Sequence, residues 1–229
     1  MRRIGILLAA LAALSATGCQ QLFTTSLGTG LARPGMPVPA SLSAEQASAY
    51  AAEVAANRDQ ALAEALMPAM ADLVAANPGN AAILGDAVAT AGVATGIEDA
   101  FMEAIGTVGI DALLGGSAST TVLAGILAGI SVSADDIAVF TALNGSSPGA
   151  VAGEGVSATT YALAAAAIVV GGLGSAGIEL LMDANPANDP VIPNLAIAQA
   201  LIADASGYGP WAGDPLIAAL QILFTTALP

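Results

Sequence analysis

The chain has 229 residues, 56% hydrophobic and only 10% charged, with four basic side chains against eighteen acidic ones and no histidine. A body this acidic repels phosphate backbones and anionic headgroups, which excludes nucleic acid as a partner. A single cysteine excludes an intrachain disulfide framework, and without His or Lys any catalysis would fall to carboxylates, hydroxyls, a few tyrosines or a metal.

In chain order, Arg2 and Arg3 precede an uncharged apolar run from Ile4 to Leu14. Small residues follow, and the only cysteine closes the segment in Ala16-Thr17-Gly18-Cys19. A positive start, a short apolar core and a small-residue cleavage site make an export signal, too short for a bilayer span. The segment resembles a bacterial lipoprotein signal peptide, whose lipobox ends in the cysteine that becomes the acylated first residue. Ala16 stands where most lipoboxes carry leucine. The resemblance covers residues 1–19 and implies a protein exported and anchored in a membrane by a lipid on Cys19. Gln20 is not the aspartate of the inner-membrane retention signal, so outer-membrane placement is expected. Cleavage removes Arg2 and Arg3, leaving Arg33 and Arg58 against the eighteen carboxylates.

The next stretch, to Ser43, contains Pro34, Pro37 and Pro39 among glycine, serine and threonine, with no apolar period. It reads as a flexible tether, and a coil of about 24 residues spans roughly 25–30 Å. The expected division is therefore signal peptide 1–18, lipidated Cys19 and tether 19–43, and one helical domain 44–229.

Helix signals recur at every boundary of that domain. Ser43 with Gln46 makes a capping box, opening an alanine-rich helix to Asn77 with Tyr50, Val54, Ala61, Leu62, Ala65, Leu66 and Ala69 on one face. Pro68 should kink or divide it, and Asn77-Pro78-Gly79 should stop it. Asn80 opens a helix that Gly92 should end. Thr95 with Glu98 reads as a second capping box before the stripe Ile97, Phe101, Ile105 and Val108. Glycines 115 and 116 precede an apolar segment from Ser119 to Ile130. Ser133 with Asp136 caps a helix carrying Ile137, Phe140 and Leu143, which Asn144-Gly145 stops. Ser157 opens the most apolar stretch, to Val170, with a glycine-rich continuation to Met182. Pro193 starts a helix that Gly207 ends, and Asp214-Pro215 starts the last, through Phe224. With no hairpin turns between alternating strands, the fold class is all-α. It should be an irregular Ala/Gly-rich bundle of about eight or nine helices around a buried apolar helix pair.

Asp72–Asn80 resembles Leu180–Asn188, either through duplicated helical hairpins or through two uses of one helix stop. Ala112–Ala134 and Gly155–Ile178 lack charge and are long enough to span a bilayer. Small-xxx-small rows (Thr121, Gly125, Gly129, Ser133; Ala167, Gly171, Ser175) would let them approach closely. The same composition serves a buried core pair, which the paucity of large apolar residues in the second stretch and the lack of positive flanks favour.

Motifs for chemistry are sparse. Gly145-Ser146-Ser147-Pro148-Gly149 matches a nucleophile-elbow string, but a helix precedes it, proline follows the serine and no histidine exists, so it reads as a loop. Asp183, Asn185 and Asp189 offer hard oxygen ligands, without the glycine and twelfth-position glutamate of an EF-hand loop. Asp135-Asp136 and Glu98-Asp99 suit helix starts. Trp211 should plug the core below the last helix. The expectation is a non-enzymatic, lipid-anchored envelope lipoprotein with a structural or protein-docking helical domain, and no cofactor beyond the covalent lipid. Its partners would be the membrane, through that lipid, and a protein of the envelope. Two alternatives stand beside it: a carrier of an apolar ligand or lipid, and a membrane-inserting helical hairpin.

Overall fold

A computed structural model describes residues 38–108, 130–182 and 192–222. Among these, nine α-helices and two 3₁₀ turns form an all-α domain: α1 Ala44–Asn57, α2 Gln60–Ala76, α3 Ala81–Ala94, α4 Ile97–Val108, α5 Ala134–Ala142, α6 Pro148–Gly153, α7 Ala158–Met182, α8 Leu195–Gly207 and α9 Pro215–Ile222. Contacts divide the chain into residues 1–37 and 38–229, and the second unit is described here. Val38 packs against its core and Leu42 is buried in it, so the chain joins the body before the first helix begins.

Local chemistry explains most helix starts. Ser43 Oγ accepts the Gln46 N–H while Gln46 Oε1 accepts the Ser43 N–H, the reciprocal cap expected for α1. Asp59, Asn80, Ser147 and Asp214 each accept an N–H from the first turn of α2, α3, α6 and α9. Ser157 does the same for α7 through Thr160. Each supplies an acceptor to one of the orphan donors every helix start leaves.

Three expectations are corrected. The first helix divides at Arg58-Asp59, not at Pro68, which lies inside α2. Arg58 adopts the left-handed conformation (φ 49°) and Asp59 caps the new helix, so α2 starts afresh. The restart rotates the apolar face: Ala63, Leu66, Met67 and Met70 are buried, whereas Ala61 and Ala65 are exposed. Gly92 does not end α3, which runs to Ala94. It makes room instead, because a Cβ there would stand 3.3 Å from Glu98 Oε1. Finally, Thr95 and Glu98 form no capping box. The Thr95 N–H goes to the Ala91 carbonyl, its Oγ1 donates there too, and Gly96 (φ 65°) turns the chain into α4. Helix α6 was not anticipated by any apolar period, being a single capped turn and a half.

α3 and α7 supply the buried centre. Ten of the fourteen residues of α3 are buried, from Ile83 to Ala94, and α7 buries an unbroken run from Tyr161 to Ala165. α1 and α2 pack on α3, α8 and α9 on α7, and α5 bridges α2, α3 and α7. Leu66, Met70, Phe140, Leu143, Ile168 and Leu201 are fully buried, each contributing about 1.5–3 kcal/mol of apolar burial. Trp211 is buried as expected, 5.2 Å from the Tyr161 ring and 5.1 Å from Tyr208 in an edge-on arrangement. Close approach explains two glycines of α7: a Cβ on Gly171 would lie 2.7 Å from Val132 Cγ1, and one on Gly172 would lie 2.9 Å from the Pro193 carbonyl oxygen.

The segment Ala112–Ala134, first member of the expected helix pair, lies almost wholly outside the described residues, as does Leu180–Asn188 beyond Met182. Among the described residues no single helix is long and apolar enough to cross a membrane. α3 and the first half of α4 meet that test only jointly, bent by 55°.

Candidate functional site

Of the residues singled out for chemistry, Cys19, Asp183, Asn185 and Asp189 lie outside the described part. Ser147 of the Gly145–Gly149 string caps α6, its Oγ accepting the Ala150 N–H at 3.3 Å, with Pro148 as the first helical residue. It is a helix cap between two helices. Among the described residues no group of three or more His, Cys, Asp or Glu could hold a metal ion.

Two concavities stand out among the described residues. The first, about 170 Å³, lies where α1, α3 and the start of α4 meet the Glu154-Gly155 turn. Gly85 admits that turn, since a Cβ there would stand 3.0 Å from Glu154 Cβ. Asp86, Glu98, Glu154 and Arg58 line it. Burial pushes the Asp86 carboxyl above its usual range, a hydrogen bond with Ser48 draws it back, and the charge of Glu154 raises it further. Arg58 donates to Asp99 Oδ1 at 2.7 Å and stands 3.5 Å from Glu98 Oε2. Thr160 Oγ1 donates to Glu98 Oε1 at 3.2 Å, tying α7 to α4. The adjacent pair Glu98-Asp99 is thus held by the only basic residue after Arg33, which is a structural clasp.

The second, about 440 Å³, is a groove between α2 and α5, closed at one end by the Asn77–Asn80 turn. Ala71, Val74 and Ala75 form one wall, Ala138, Thr141 and Ala142 the other, and Leu84 contributes from α3. No charged side chain lines it. Alanines at these positions are what keeps it open, because larger side chains would fill the space between the helices.

Among the described residues two buried polar atoms stand without hydrogen-bond partners, Asp136 Oδ1 and Tyr161 Oη. The other carboxyl oxygen of Asp136 completes the expected cap of α5: Oδ2 accepts from Ser133 N–H at 2.7 Å and Ser133 Oγ at 2.6 Å. Burial raises the Asp136 pKa against those hydrogen bonds, and the charges of Asp135 and Glu64 raise it further. Burial also raises Tyr161, with a contribution from Asp204, so its phenol stays protonated.

The described chain is therefore an acidic all-α domain with one charged cleft and one neutral groove. No family model, curated protein or solved structure matches it. Sequence reading missed the groove because its walls come from two helices far apart in sequence, Ala71 and Ala75 on one and Ala138 and Ala142 on the other. The spacing of Ala71 and Ala75 along one helix face was readable, but what they face was not.

Proposed function

We propose that this is an exported lipoprotein of the bacterial envelope, held to a membrane by lipid on Cys19, whose helical body is a non-enzymatic docking domain. The observation that carries the anchor is Arg2-Arg3, the Ile4–Leu14 run and the sole cysteine immediately after Ala16-Thr17-Gly18. In support of the docking role, the body carries a neutral groove on an acidic surface. Its one basic side chain is already engaged with Glu98 and Asp99.

The test is mass spectrometry of the N-terminal peptide of the full chain recovered from a Gram-negative envelope. The reading expects a chain starting at Cys19 with diacylglyceryl and N-acyl mass, in the outer-membrane fraction, and loss of both in Cys19→Ser. An unmodified Cys19, or a chain retaining Met1, would sink the anchor. The carrier alternative rests on the same groove and predicts lipid-sized extra mass released from the folded body on denaturation.

A further inference from the structure

We propose that Asp136 is a proton-operated latch at the start of α5, holding that helix firmly when its carboxyl is neutral and loosening it when the carboxyl ionises. Acidity then sets how tightly one wall of the neutral groove is held. This goes beyond the docking reading and stands independently of the lipid on Cys19.

The geometry of one carboxyl carries the argument. Among the described residues Asp136 is the only charged side chain in the core, 3% exposed. Its two oxygens meet different surroundings. Oδ2 accepts the Ser133 N–H at 2.7 Å and the Ser133 Oγ–H at 2.6 Å, and the Asp136 N–H is given to Ser133 Oγ at 3.2 Å. Oδ1 is shut off from solvent and receives no donor. Ionisation spreads the charge over both oxygens, so about half of it falls on a buried atom that nothing solvates, a far larger cost than burying a neutral carbonyl oxygen. The neutral acid avoids that cost and keeps the cap. Its proton lies on Oδ2 and is donated to Ser133 Oγ across the same short contact, which leaves Oδ1 as a carbonyl oxygen.

Among the described residues no cation is placed to compensate an ionised Asp136. Asp135 on its own helix and Glu64 on α2 act on it with like charge. The other titratable side chains described on the helices packed against α5 are Asp72 of α2, Asp86 of α3 and Tyr161 of α7, and none is a base. Arg58 is held by Asp99 and Glu98. Burial and like charge therefore oppose ionisation, with the Ser133 hydrogen bonds acting the other way.

What the latch holds is a short helix with many neighbours. α5 has nine residues, bridges α2, α3 and α7, and buries Val139 and Phe140 beside Asp136. Ala138, Thr141 and Ala142 of the same helix form one wall of the groove. Opening of its first turn exposes Asp136 to water and returns the carboxyl to its ordinary value of 3.8, so opening releases a proton. Below 3.8 opening does not depend on pH. It grows as pH rises from there towards the closed-state value, by at most about tenfold per pH unit for one proton, and levels off beyond it.

The test is amide hydrogen exchange of the full chain in nanodiscs, read by mass spectrometry between pH 4 and pH 7.5 and corrected for the intrinsic effect of pH on exchange. Peptides from α5 should exchange at least about threefold faster at the upper pH than at the lower, and peptides from α3 should change less. In Asp136→Asn, which is uncharged at every pH, the dependence in α5 should disappear while that in α3 stays as it was. A flat wild-type profile in α5 overturns the proposal and means that Oδ1 is solvated when ionised, as a buried water would do. An equal change in α3 and α5 overturns it as well, since the whole body would then loosen together. So does an unchanged slope in Asp136→Asn. Circular dichroism checks that this variant folds, and if it does not, the wild type decides alone. The assigned carboxyl carbon-13 resonance of Asp136 should titrate with a midpoint above 3.8, and a midpoint at or below that value overturns the latch.

Discussion

Asp136 combines opposed demands in one side chain, with Oδ2 receiving two hydrogen bonds at the start of α5 and Oδ1 buried without a partner. Its folded pKa lies above the ordinary carboxylate value, as does that of Asp86, in both cases first because of burial. A group raised in the folded state binds its proton more tightly there than in the unfolded chain. Its stabilising contribution is complete below the unfolded value of 3.8 and is lost as pH rises through the folded value. Thermal unfolding should therefore show a melting temperature that rises on going from pH 7 towards pH 4.5, with a shallower rise in Asp136→Asn. An unchanged slope in that variant would remove Asp136 from the account. Glycines give a second test at this scale. Gly171→Ala puts a Cβ against Val132 and should cost about 1–3 kcal/mol by overpacking. Gly106→Ala, inside α4 with nothing within 4 Å, should stabilise by roughly 0.5–1 kcal/mol, so urea titrations of the two should shift in opposite directions.

Helices here end where a side chain can cap them, and that rule outweighs the ordinary helix-breakers. Pro68 is exposed at the middle of α2 and leaves the helix continuous, whereas Asn57-Arg58-Asp59 breaks it because Arg58 turns left-handed and Asp59 starts a new cap. Replacing Pro68 by Ala should restore the missing backbone hydrogen bond and raise stability by about 1–3 kcal/mol, measured by chemical denaturation. Ser43→Ala should cost about 1 kcal/mol through loss of the cap that starts α1. A Pro68→Ala variant less stable than the parent would mean that the proline serves the packing of α2 and not merely tolerates it.

Among the described residues the charges lie outside a core made largely of Ala, Val, Leu and Ile, with Asp136 the buried exception. With one basic residue after Arg33, carboxylates on the surface repel one another, and salt weakens that repulsion as the screening length falls to ~10 Å at 0.1 M. Melting temperature should climb between 10 mM and 0.5 M sodium chloride, and a fall would show that the Arg58 clasp matters more than the net repulsion. The same balance explains why a neutral groove stands out on this surface.

Fold class was legible because every capping signal is local: Ser43-Gln46, Ser133-Asp136 and Asp214-Pro215 act within a few residues of themselves, and an all-α chain follows from their number and spacing. The buried role of Trp211 was legible from its solitude. Thr95-Glu98 misled because Glu98 has better partners in Arg58 and Thr160, neither of them near in sequence. Gly92 misled because its small volume serves the Glu98 side chain packed over it and ends nothing. By itself the sequence determined the all-α class and the acidity, properties of neighbouring residues or of totals. Tertiary structure alone decided which faces meet: that α2 restarts with a rotated face, that Gly171 and Gly172 take Val132 and Pro193 against α7, and that α2 and α5 leave a neutral groove walled by Ala71, Val74, Ala138 and Ala142. Such pairings depend on the relative placement of distant helices, and no short-range pattern of residues encodes that placement.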